Sequence, residues 1–183
     1  MRTARADDAA ALLAIYAPIV RETAISFDLE PPTKEEMAAR VQATLRHYPW
    51  LVAETAGGGV AGYASAHRFR ERDAYLWSVE TSVYVAAQAR GGGVGSALYA
   101  RLLAILAAQG FVRAYAGITL PNPASEALHA GMGFVRYGVE RGVGWKLGRW
   151  HDVARWERAL QSPSPLPPAA PVPFADLAQQ ARD

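Results

Sequence analysis

A glycine-dense segment near the middle of the chain has residue types at a spacing suited to binding phosphate. Its sequence is Arg90-Gly91-Gly92-Gly93-Val94-Gly95-Ser96, and it lies between an alternating segment typical of a strand (79–85) and apolar residues at helical spacing (97–106). Glycine allows the backbone to approach a ligand closely and to take positive φ angles. The first turn of a helix offers unpaired N–H groups at the positive end of the helix dipole. The sequence therefore predicts a pocket for phosphate or pyrophosphate.

Two common phosphate-binding loops do not match this segment. A Walker loop ends in Gly-Lys-Ser/Thr, but no lysine follows Gly95. A dinucleotide-binding loop has the pattern G-x-G-x-x-G/A with an acidic residue about 20 positions later. Counted from Gly91, its last glycine position holds Ser96, and residues 110–121 contain no Asp or Glu. The sequence therefore favours neither assignment.

The remaining pattern, Arg90-x-x-Gly93-x-Gly95, resembles the Q/R-x-x-G-x-G/A acyl-CoA loop of the GNAT superfamily of N-acetyltransferases. The strand, loop and helix occur in that family's order, and the segment 118–134 is similar to its second cofactor segment. The segment 143–153 resembles one branch in particular, the phosphinothricin acetyltransferases and their methionine sulfoximine or methionine sulfone relatives. Segments 16–20 and 23–27 also match, so the resemblance covers roughly residues 1 to 160.

The resemblance implies a fold and a cosubstrate. The fold is the α/β acyl-CoA N-acyltransferase fold, with a central, mostly antiparallel, twisted sheet flanked by helices. The cosubstrate is acetyl-CoA, whose pyrophosphate would meet main-chain N–H groups of the loop. Asn122 and Ser125 are expected at its pantetheine or phosphate part, and both residues also suit helix capping. The expected cofactor contacts are Val83, Val85, Arg90, Gly91, Gly93, Val94, Gly95, Ser96, Asn122 and Ser125.

A general base is useful for acetyl transfer, because an ordinary alkylamine with a pKa near ~10 is mostly cationic at neutral pH. Glu80 interrupts an otherwise apolar strand, where burial would raise its proton affinity. Alternation alone equally allows a carboxylate that faces solvent. The resemblance favours the base, because it places Glu80 at the carboxylate of Val-Glu-x-Ser-Val-Tyr-Val in the phosphinothricin branch, acting directly or through water.

Two further catalytic groups are implied by the resemblance. The backbone N–H of Val85 would stabilise the oxyanion where its strand separates from a neighbour. His129 stands where many family members have a tyrosine, proposed to protonate the leaving thiolate, so its imidazole is a candidate acid or substrate-positioning group. A packed or capping histidine is the alternative, and Tyr84 and Tyr99 are the other candidate acids.

Residues in front of the cofactor would recognise the acceptor. Arg70 and Tyr75, spaced Arg-x-x-x-x-Tyr, resemble the carboxylate contacts of the methionine sulfone relatives, and arginine suits that task through bidentate geometry. Phe27 would line the pocket. The alternatives are a surface ion pair for Arg70 and a core role for Phe27. The implied activity is direct acetyl transfer to the primary amine of a small amino-acid-like molecule. Its rivals are acetylation of a protein or peptide and non-catalytic acyl-CoA binding.

Composition limits the remaining function classes. The 183 residues carry a net charge of only +2 with scattered basic residues, so nothing indicates nucleic-acid binding. The absence of cysteine excludes disulfides, thiolate zinc sites and a cysteine nucleophile, and the histidines lack metal-ligand spacing, so no metal is expected. No signal peptide or bilayer-spanning segment is apparent, so we expect a cytoplasmic protein without membrane association. The resemblance and the residues Trp145, Trp150 and Trp156 favour a homodimer.

Local patterns predict the elements that position these residues. Strands are expected at 1–5, 50–55, 60–68, 75–85 and 111–119, and at 134–139 paired with 142–147, with the segment 150–160 following. Helices are expected at 7–20, 33–47, 93–109 and 123–130. The acetyltransferase domain would span residues 1–161. Residues 162–183, a tail whose first part (162–173) holds six of the chain's twelve prolines, would be a flexible appendage outside the fold.

Overall fold

The computed structural model describes residues 1–162, 164–165 and 168–180. Within these residues, seven strands form one sheet: β1 (Arg2–Thr3), β2 (Trp50–Glu54), β3 (Val60–Arg68), β4 (Ser78–Val85), β5 (Arg113–Thr119), β6 (Val135–Lys146) and β7 (Arg149–Ala159). Their order is β1-β2-β3-β4-β5-β7-β6. The pair β4–β5 is parallel and the other neighbouring pairs are antiparallel. This mixed, mostly antiparallel sheet confirms the expected fold class.

Helices cover both faces of the sheet. In the described residues they are α1 (Ala9–Glu22), α2 (Lys34–Leu45), α3 (Val94–Gln109), α4 (Pro123–Gly131) and α5 (Phe174–Gln180). On one face, Leu98, Leu102 and Leu106 of α3 form a buried core with Val79 of β4. On the other face, α1 and α2 bury their apolar residues around Tyr63 of β3. Two hydrophobic cores therefore hold the sheet from opposite sides.

Local sequence signals explain several element ends. The hydroxyl of Thr33 accepts a hydrogen bond from the Glu36 N–H at 3.1 Å, and the Glu36 carboxylate accepts one from the Thr33 N–H at 2.7 Å, which completes the capping box of α2. Gly110, with a φ of 99°, ends α3 in the left-handed conformation. Helix α1 continues through Pro18 to Glu22, two residues beyond the predicted end at residue 20.

The predicted pairing of segment 134–139 with segment 142–147 is wrong. Both segments belong to the single strand β6, which pairs along its length with β7. The register of the β6–β7 ladder shifts between Glu140 and Gly144. Gly142 and Gly144 therefore lie at an irregularity of one continuous strand and not in a turn. The turn lies at Leu147 and Gly148, whose φ angles of 49° and 75° suit a tight hairpin.

Part of the proline-rich tail packs against the body of the protein. The Trp77 side chain donates to the Ala169 carbonyl at 2.9 Å, and the buried Gln109 side chain donates to the Val172 carbonyl at 2.7 Å. Phe174, at the start of α5, is buried. The expectation of an appendage outside the fold is therefore wrong for these residues, because a buried amide on α3 provides a hydrogen-bonding anchor. Residues 163, 166–167 and 181–183 of the tail lie outside the described residues.

The tryptophans offered as a dimer surface do not lie together. Trp145 and Trp150 are 56% and 63% exposed, and their rings meet edge-to-face at 5.3 Å across the β6–β7 hairpin. Trp156 is buried and belongs to the core beneath α3. Only the first two can therefore contribute to an interface.

Strands β4 and β5 diverge in the middle of the sheet. In the described ladder they pair only from Ser78 with Arg113 to Glu80 with Tyr115, although β4 continues to Val85 and β5 to Thr119. The backbone groups that face this gap are consequently free of a sheet partner beyond Glu80. The gap opens at the edge of β4 that leads into the glycine loop.

Candidate active site

The glycine loop and the start of α3 form the first part of the site. Gly91 and Gly93 have φ angles of 77° and 78°, a conformation that strains residues carrying a Cβ. The N–H groups of the first helical turn, residues 94–96, have no intrahelical acceptor. Arg90 Nε donates to the Val85 carbonyl at 3.3 Å, which ties the loop to the end of β4. This arrangement has the geometry of an anion pocket.

A cavity occupies the gap between β4 and β5. Six of the residues named from the sequence line it: Val83, Tyr84, Tyr99, Asn122, Ser125 and His129. The Asn122 side chain also accepts a hydrogen bond from the Ser125 N–H at 3.2 Å and so caps α4. The capping role considered for Asn122 is therefore present together with its position at the cavity.

The N–H of Val85 faces this gap. The Ala86 N–H donates to the Ala61 carbonyl of β3 at 2.9 Å, and Val85 is the cross-strand neighbour of Gly62. Since hydrogen-bonded and non-hydrogen-bonded pairs alternate in an antiparallel ladder, the N–H groups of Val85 and Val83 point away from β3. The strand separation that the resemblance implied at Val85 therefore exists, and its amide is available to a ligand in the gap.

His129 is buried within a hydrogen-bonded network. Its Nδ1 lies 2.7 Å from the Ser125 carbonyl oxygen, which can only accept, so Nδ1 carries the proton. Its Nε2 lies 2.9 Å from the Tyr99 hydroxyl, which in turn lies 3.1 Å from the Thr81 hydroxyl. Burial lowers the pKa of His129 and raises that of Tyr99. The imidazole is thus neutral and packed, with the Tyr99 hydroxyl as its link to the cavity wall.

Glu80 lies on the opposite face of β4 from Val83 and Val85, because side chains alternate along a strand. Its side chain is 23% exposed and contacts two basic groups. His67 Nε2 lies 3.5 Å from Oε2, and Arg155 Nη1 lies 3.5 Å from Oε1. Glu80 is consequently a half-buried carboxylate between two strands that each supply a basic side chain.

The balance of charges around Glu80 sets its protonation state. Burial raises the pKa of the Glu80 carboxyl, but His67, Arg155 and Arg70 together outweigh burial and place the pKa below its usual range. The expectation that burial would raise its proton affinity is therefore wrong, because these bases come from other strands and loops. Glu80 is ionised at neutral pH.

A second cavity, of about 530 Å³, lies on the Glu80 face of the sheet. Strand β4 contributes Ser82 and Tyr84 to its wall, and β3 contributes His67, the partner of Glu80. Helices α1 and α2 contribute Tyr16 and Arg40. Ser82 and Tyr84 also line the gap between β4 and β5, so the two cavities adjoin the same part of β4 from its two faces.

The predicted acceptor contacts Arg70 and Tyr75 both lie against Phe69. The Arg70 guanidinium is 4.6 Å from the centre of the Phe69 ring, and the Tyr75 ring is 6.0 Å from it. In the described residues Arg70 forms no ion pair, since Asp73 is paired with Arg68 at 3.0 Å. The ion pair considered for Arg70 is therefore not formed in the described residues, and its charge makes a minor contribution to lowering the pKa of Glu80.

Phe27 lies in an anchored loop between α1 and α2. The buried Lys146 ammonium donates to the carbonyl oxygens of Ser26 and Asp28 at 2.6 and 2.7 Å. The Phe27 ring itself is 38% exposed and lies so close to Gly144 that a Cβ there would overlap it. Phe27 is therefore held at the surface of β6 and is not a core residue.

Sequence patterns did not identify three residues around Glu80. His67 carries no sequence pattern that connects it with Glu80, yet it is the direct cross-strand partner of Glu80. Arg155 comes from β7, and Gly117 of β5 leaves the space through which its guanidinium passes. No local signal marks these residues, since their proximity depends on strand order.

The residues that the structure describes contain neither a metal-binding cluster nor a membrane-spanning helix. No group of three or more His, Cys, Asp or Glu side chains is placed to hold a metal ion. No helix there has the length and apolar character needed to cross a membrane.

A family comparison matches residues 1–154 to the acetyltransferase (GNAT) domain. A phosphinothricin N-acetyltransferase of Streptomyces viridochromogenes is 41% identical over 172 residues, covering 94% of this chain and 93% of the relative. An L-methionine sulfoximine/L-methionine sulfone acetyltransferase of Pseudomonas paraeruginosa is 38% identical over 154 residues, covering 84% and 90%.

A solved structure shows the same architecture with a bound ligand. The GNAT superfamily phosphinothricin acetyltransferase of Sinorhizobium meliloti, in complex with AcCoA, superimposes with a TM-score of 0.87 at 37% identity. The match covers 92% of this chain and 91% of that chain.

Proposed function

The chain belongs to the acetyltransferase (GNAT) family, and we propose that it transfers the acetyl group of acetyl-CoA directly to the primary amine of a small amino-acid-like substrate. The observation that carries this proposal is the position of Glu80, an ionised carboxylate on β4 beside the gap where Val85 presents its N–H. The relatives named for phosphinothricin and methionine sulfoximine or sulfone indicate the class of acceptor.

The residues of the loop and gap fit acetyl-CoA. The N–H groups of Gly91, Gly93 and the first turn of α3 suit a pyrophosphate, and the gap between β4 and β5 offers backbone groups to a pantetheine chain. When bound, acetyl-CoA supplies an acetyl group activated as a thioester. The N–H of Val85 would stabilise the negative charge that develops on the acyl oxygen, a contribution of about 3 kcal/mol in comparable sites.

Glu80 would act as the general base. Because its pKa is lowered, it is ionised and can accept a proton directly or through water, but it holds that proton weakly. His67, 3.5 Å away and 53% exposed, is placed to pass the proton to solvent. A weak base that can pass its proton on to solvent is sufficient when the amine loses its proton before it attacks the thioester.

The acid for the leaving thiolate would be the hydroxyl of Tyr99, oriented by His129. Tyr99 lines the gap, and its hydroxyl lies 2.9 Å from His129 Nε2. After the hydroxyl gives up its proton, the hydrogen bonds of this network must rearrange before a new proton reaches it. We assign His129 the role of orienting Tyr99 through its protonated Nδ1 and its acceptor Nε2.

The acceptor would occupy the cavity of about 530 Å³ on the Glu80 face. Arg70, which forms no ion pair in the described residues, is available for its carboxylate. Phe27 directly precedes Asp28, which lines this cavity, and Tyr75 packs on Phe69 together with Arg70; both rings are exposed and would contact the acceptor. A cavity on the face opposite the Val85 side chain lets the amine approach the acyl carbon from the side away from α3.

The exposed surface of the β6–β7 hairpin supports self-association. Val143, Trp145, Leu147 and Trp150 are each at least half exposed, an apolar cluster of the kind that marks interaction sites. We propose a homodimer through this surface. Sedimentation of wild type and Trp150→Arg tests it; a monomeric wild type would contradict it.

Thiol release from acetyl-CoA tests the proposed activity. The acceptor panel contains phosphinothricin, methionine sulfoximine, methionine sulfone, the common amino acids and short peptides, with Glu80→Gln assayed in parallel. Turnover with the small zwitterions that falls by about a hundredfold or more in Glu80→Gln is the expected result. Turnover with peptides alone would contradict the acceptor class, and an unimpaired Glu80→Gln would contradict the base.

A further inference from the structure

Arg155 reaches the carboxylate of Glu80 across an intervening strand. Arg155 on β7 is the cross-strand partner of Gly117 on β5, the strand that lies between β7 and β4. A Cβ at residue 117 would lie 2.7 Å from Nη1 of Arg155, closer than such contacts normally come. The absence of a side chain on Gly117 therefore provides the path by which the guanidinium crosses β5.

The same guanidinium is fixed from its other side. Nη2 of Arg155 donates to Oε2 of Glu140 on β6 at 2.6 Å, while Nη1 lies 3.5 Å from Oε1 of Glu80. The Arg155 side chain is 26% exposed, against 53% for His67, the other base that contacts Glu80. Lower exposure means weaker screening of Arg155 by solvent and salt, and its charge lowers the pKa of Glu80, although His67 makes the larger contribution.

We propose that Arg155 is a positioning residue for the acetyl-transfer reaction. Its guanidinium is hydrogen-bonded to Glu140, lies in the space that Gly117 leaves open, and fixes the Glu80 carboxylate in place and in its charged form. This inference rests on the proposed role of Glu80 as base. Arginine suits the task because it stays protonated at every working pH. Arg155 is thus the permanent cation in contact with the base.

Other ionisable groups surround Glu80 and define what the test must separate. Each comes from a different element: His67 from β3, Arg70 from the loop after β3, Tyr115 from β5, Glu140 from β6, Arg155 from β7 and Tyr99 from α3. Of these, His67, Arg155 and Arg70 lower the pKa of Glu80. Glu140 shares the guanidinium of Arg155 with Glu80, so removal of Arg155 leaves both acidic groups without their common cation.

The experiment measures the protonation of Glu80 itself. Protein labelled with ¹³C at the glutamate carboxyls is titrated by NMR, and Glu80→Gln assigns the Glu80 signal. In Arg155→Met the titration midpoint of Glu80 should rise by about one pH unit, the low end of the effect of a neighbouring arginine on a carboxylate. Arg113→Met, which removes an arginine 3.5 Å from Glu157 on the same sheet, is the matched control and should leave the Glu80 signal unchanged.

Kinetics supply the second readout. In Arg155→Met the acidic limb of the kcat/KM profile should move to higher pH by the same amount, since less Glu80 is ionised at low pH. Loss of positioning should also lower kcat by roughly tenfold to a hundredfold, with the KM for acetyl-CoA unchanged. Arg155→Lys should restore the acidic limb, because the charge returns, but only part of kcat, because an ammonium lacks the two arms that contact Glu80 and Glu140 at once.

The outcomes separate this inference from the proposed function. An unimpaired Glu80→Gln overturns the base and this inference with it. An impaired Glu80→Gln, with the Glu80 signal and acidic limb of Arg155→Met unmoved, overturns the role of Arg155 alone. If Arg155→Met fails to fold, Arg155→Gln carries the test: it keeps a polar side chain beside Glu140 but removes the charge, so a Glu80 midpoint equal to that of wild type overturns the proposal.

Discussion

Replacing Gly93 with alanine separates backbone strain from ligand contact in the glycine loop. Gly93 has a φ of 78°, and no heavy atom lies within 4 Å of the Cβ that alanine would add. Gly58, in the turn between β2 and β3, has a φ of 82° and the same open space. Both substitutions should therefore cost roughly 1–2 kcal/mol of backbone strain, or a fall in melting temperature of roughly 2–8 °C, and neither should introduce a clash.

Only Gly93→Ala should weaken acetyl-CoA binding. A Cβ on the loop would prevent the close approach of a phosphate and remove a hydrogen bond to a charged oxygen, a loss of about 1.5–3 kcal/mol. The dissociation constant for acetyl-CoA should rise about tenfold to a hundredfold, measured by titration calorimetry at fixed ionic strength, while Gly58→Ala binds like wild type. Equal affinities of the two variants, at equal losses of stability, would refute the assignment of the loop to the phosphates.

Three further substitutions test other parts of the site. Gly144→Ala should displace Phe27, whose ring the new methyl group would overlap, and so raise the KM for the acceptor while the KM for acetyl-CoA stays constant. Tyr99→Phe removes the hydroxyl 2.9 Å from His129 and should lower kcat with a stability loss of about 1 kcal/mol; an unchanged single-turnover rate would exclude Tyr99 as the acid. Gln109→Leu removes the side-chain hydrogen bonds to the carbonyl oxygens of His47 and of Val172 in the tail and should lower the free energy of unfolding by about 1–3 kcal/mol, measured in urea; lost activity in the still-folded variant would show that the tail serves the site.

Local chemistry made most of the cofactor side predictable from the sequence. Positive φ angles at Gly91 and Gly93, the capping box at Thr33 and the helix stop at Gly110 each follow from a residue type and its immediate neighbours. Such features need no knowledge of the rest of the fold. The bounds of α3 and β3 accordingly agree with the prediction to within about one residue.

The acceptor side depends on strand order, which no local pattern contains. His67 meets Glu80 only through the register of β3 with β4, and Arg155 meets it only because β7 lies beyond β5 with a glycine between them. The prediction of a raised pKa for Glu80 used burial alone and was wrong for this reason. An accurate prediction would have required the topology β4-β5-β7 before any electrostatic argument.

Strand β4 divides the proposed reaction between its two faces and its free edge. Its odd-numbered residues Thr81 and Val83 line the gap together with Tyr99, while Glu80 stands on the even-numbered face beside the larger cavity. The edge left free by β5 presents the Val85 N–H between them. Since one rigid strand holds the gap-lining residues, Glu80 and the Val85 N–H, the distance from the base to the oxyanion donor is set by the backbone geometry of β4. A substitution that closes the gap between β4 and β5 should therefore abolish turnover without moving Glu80.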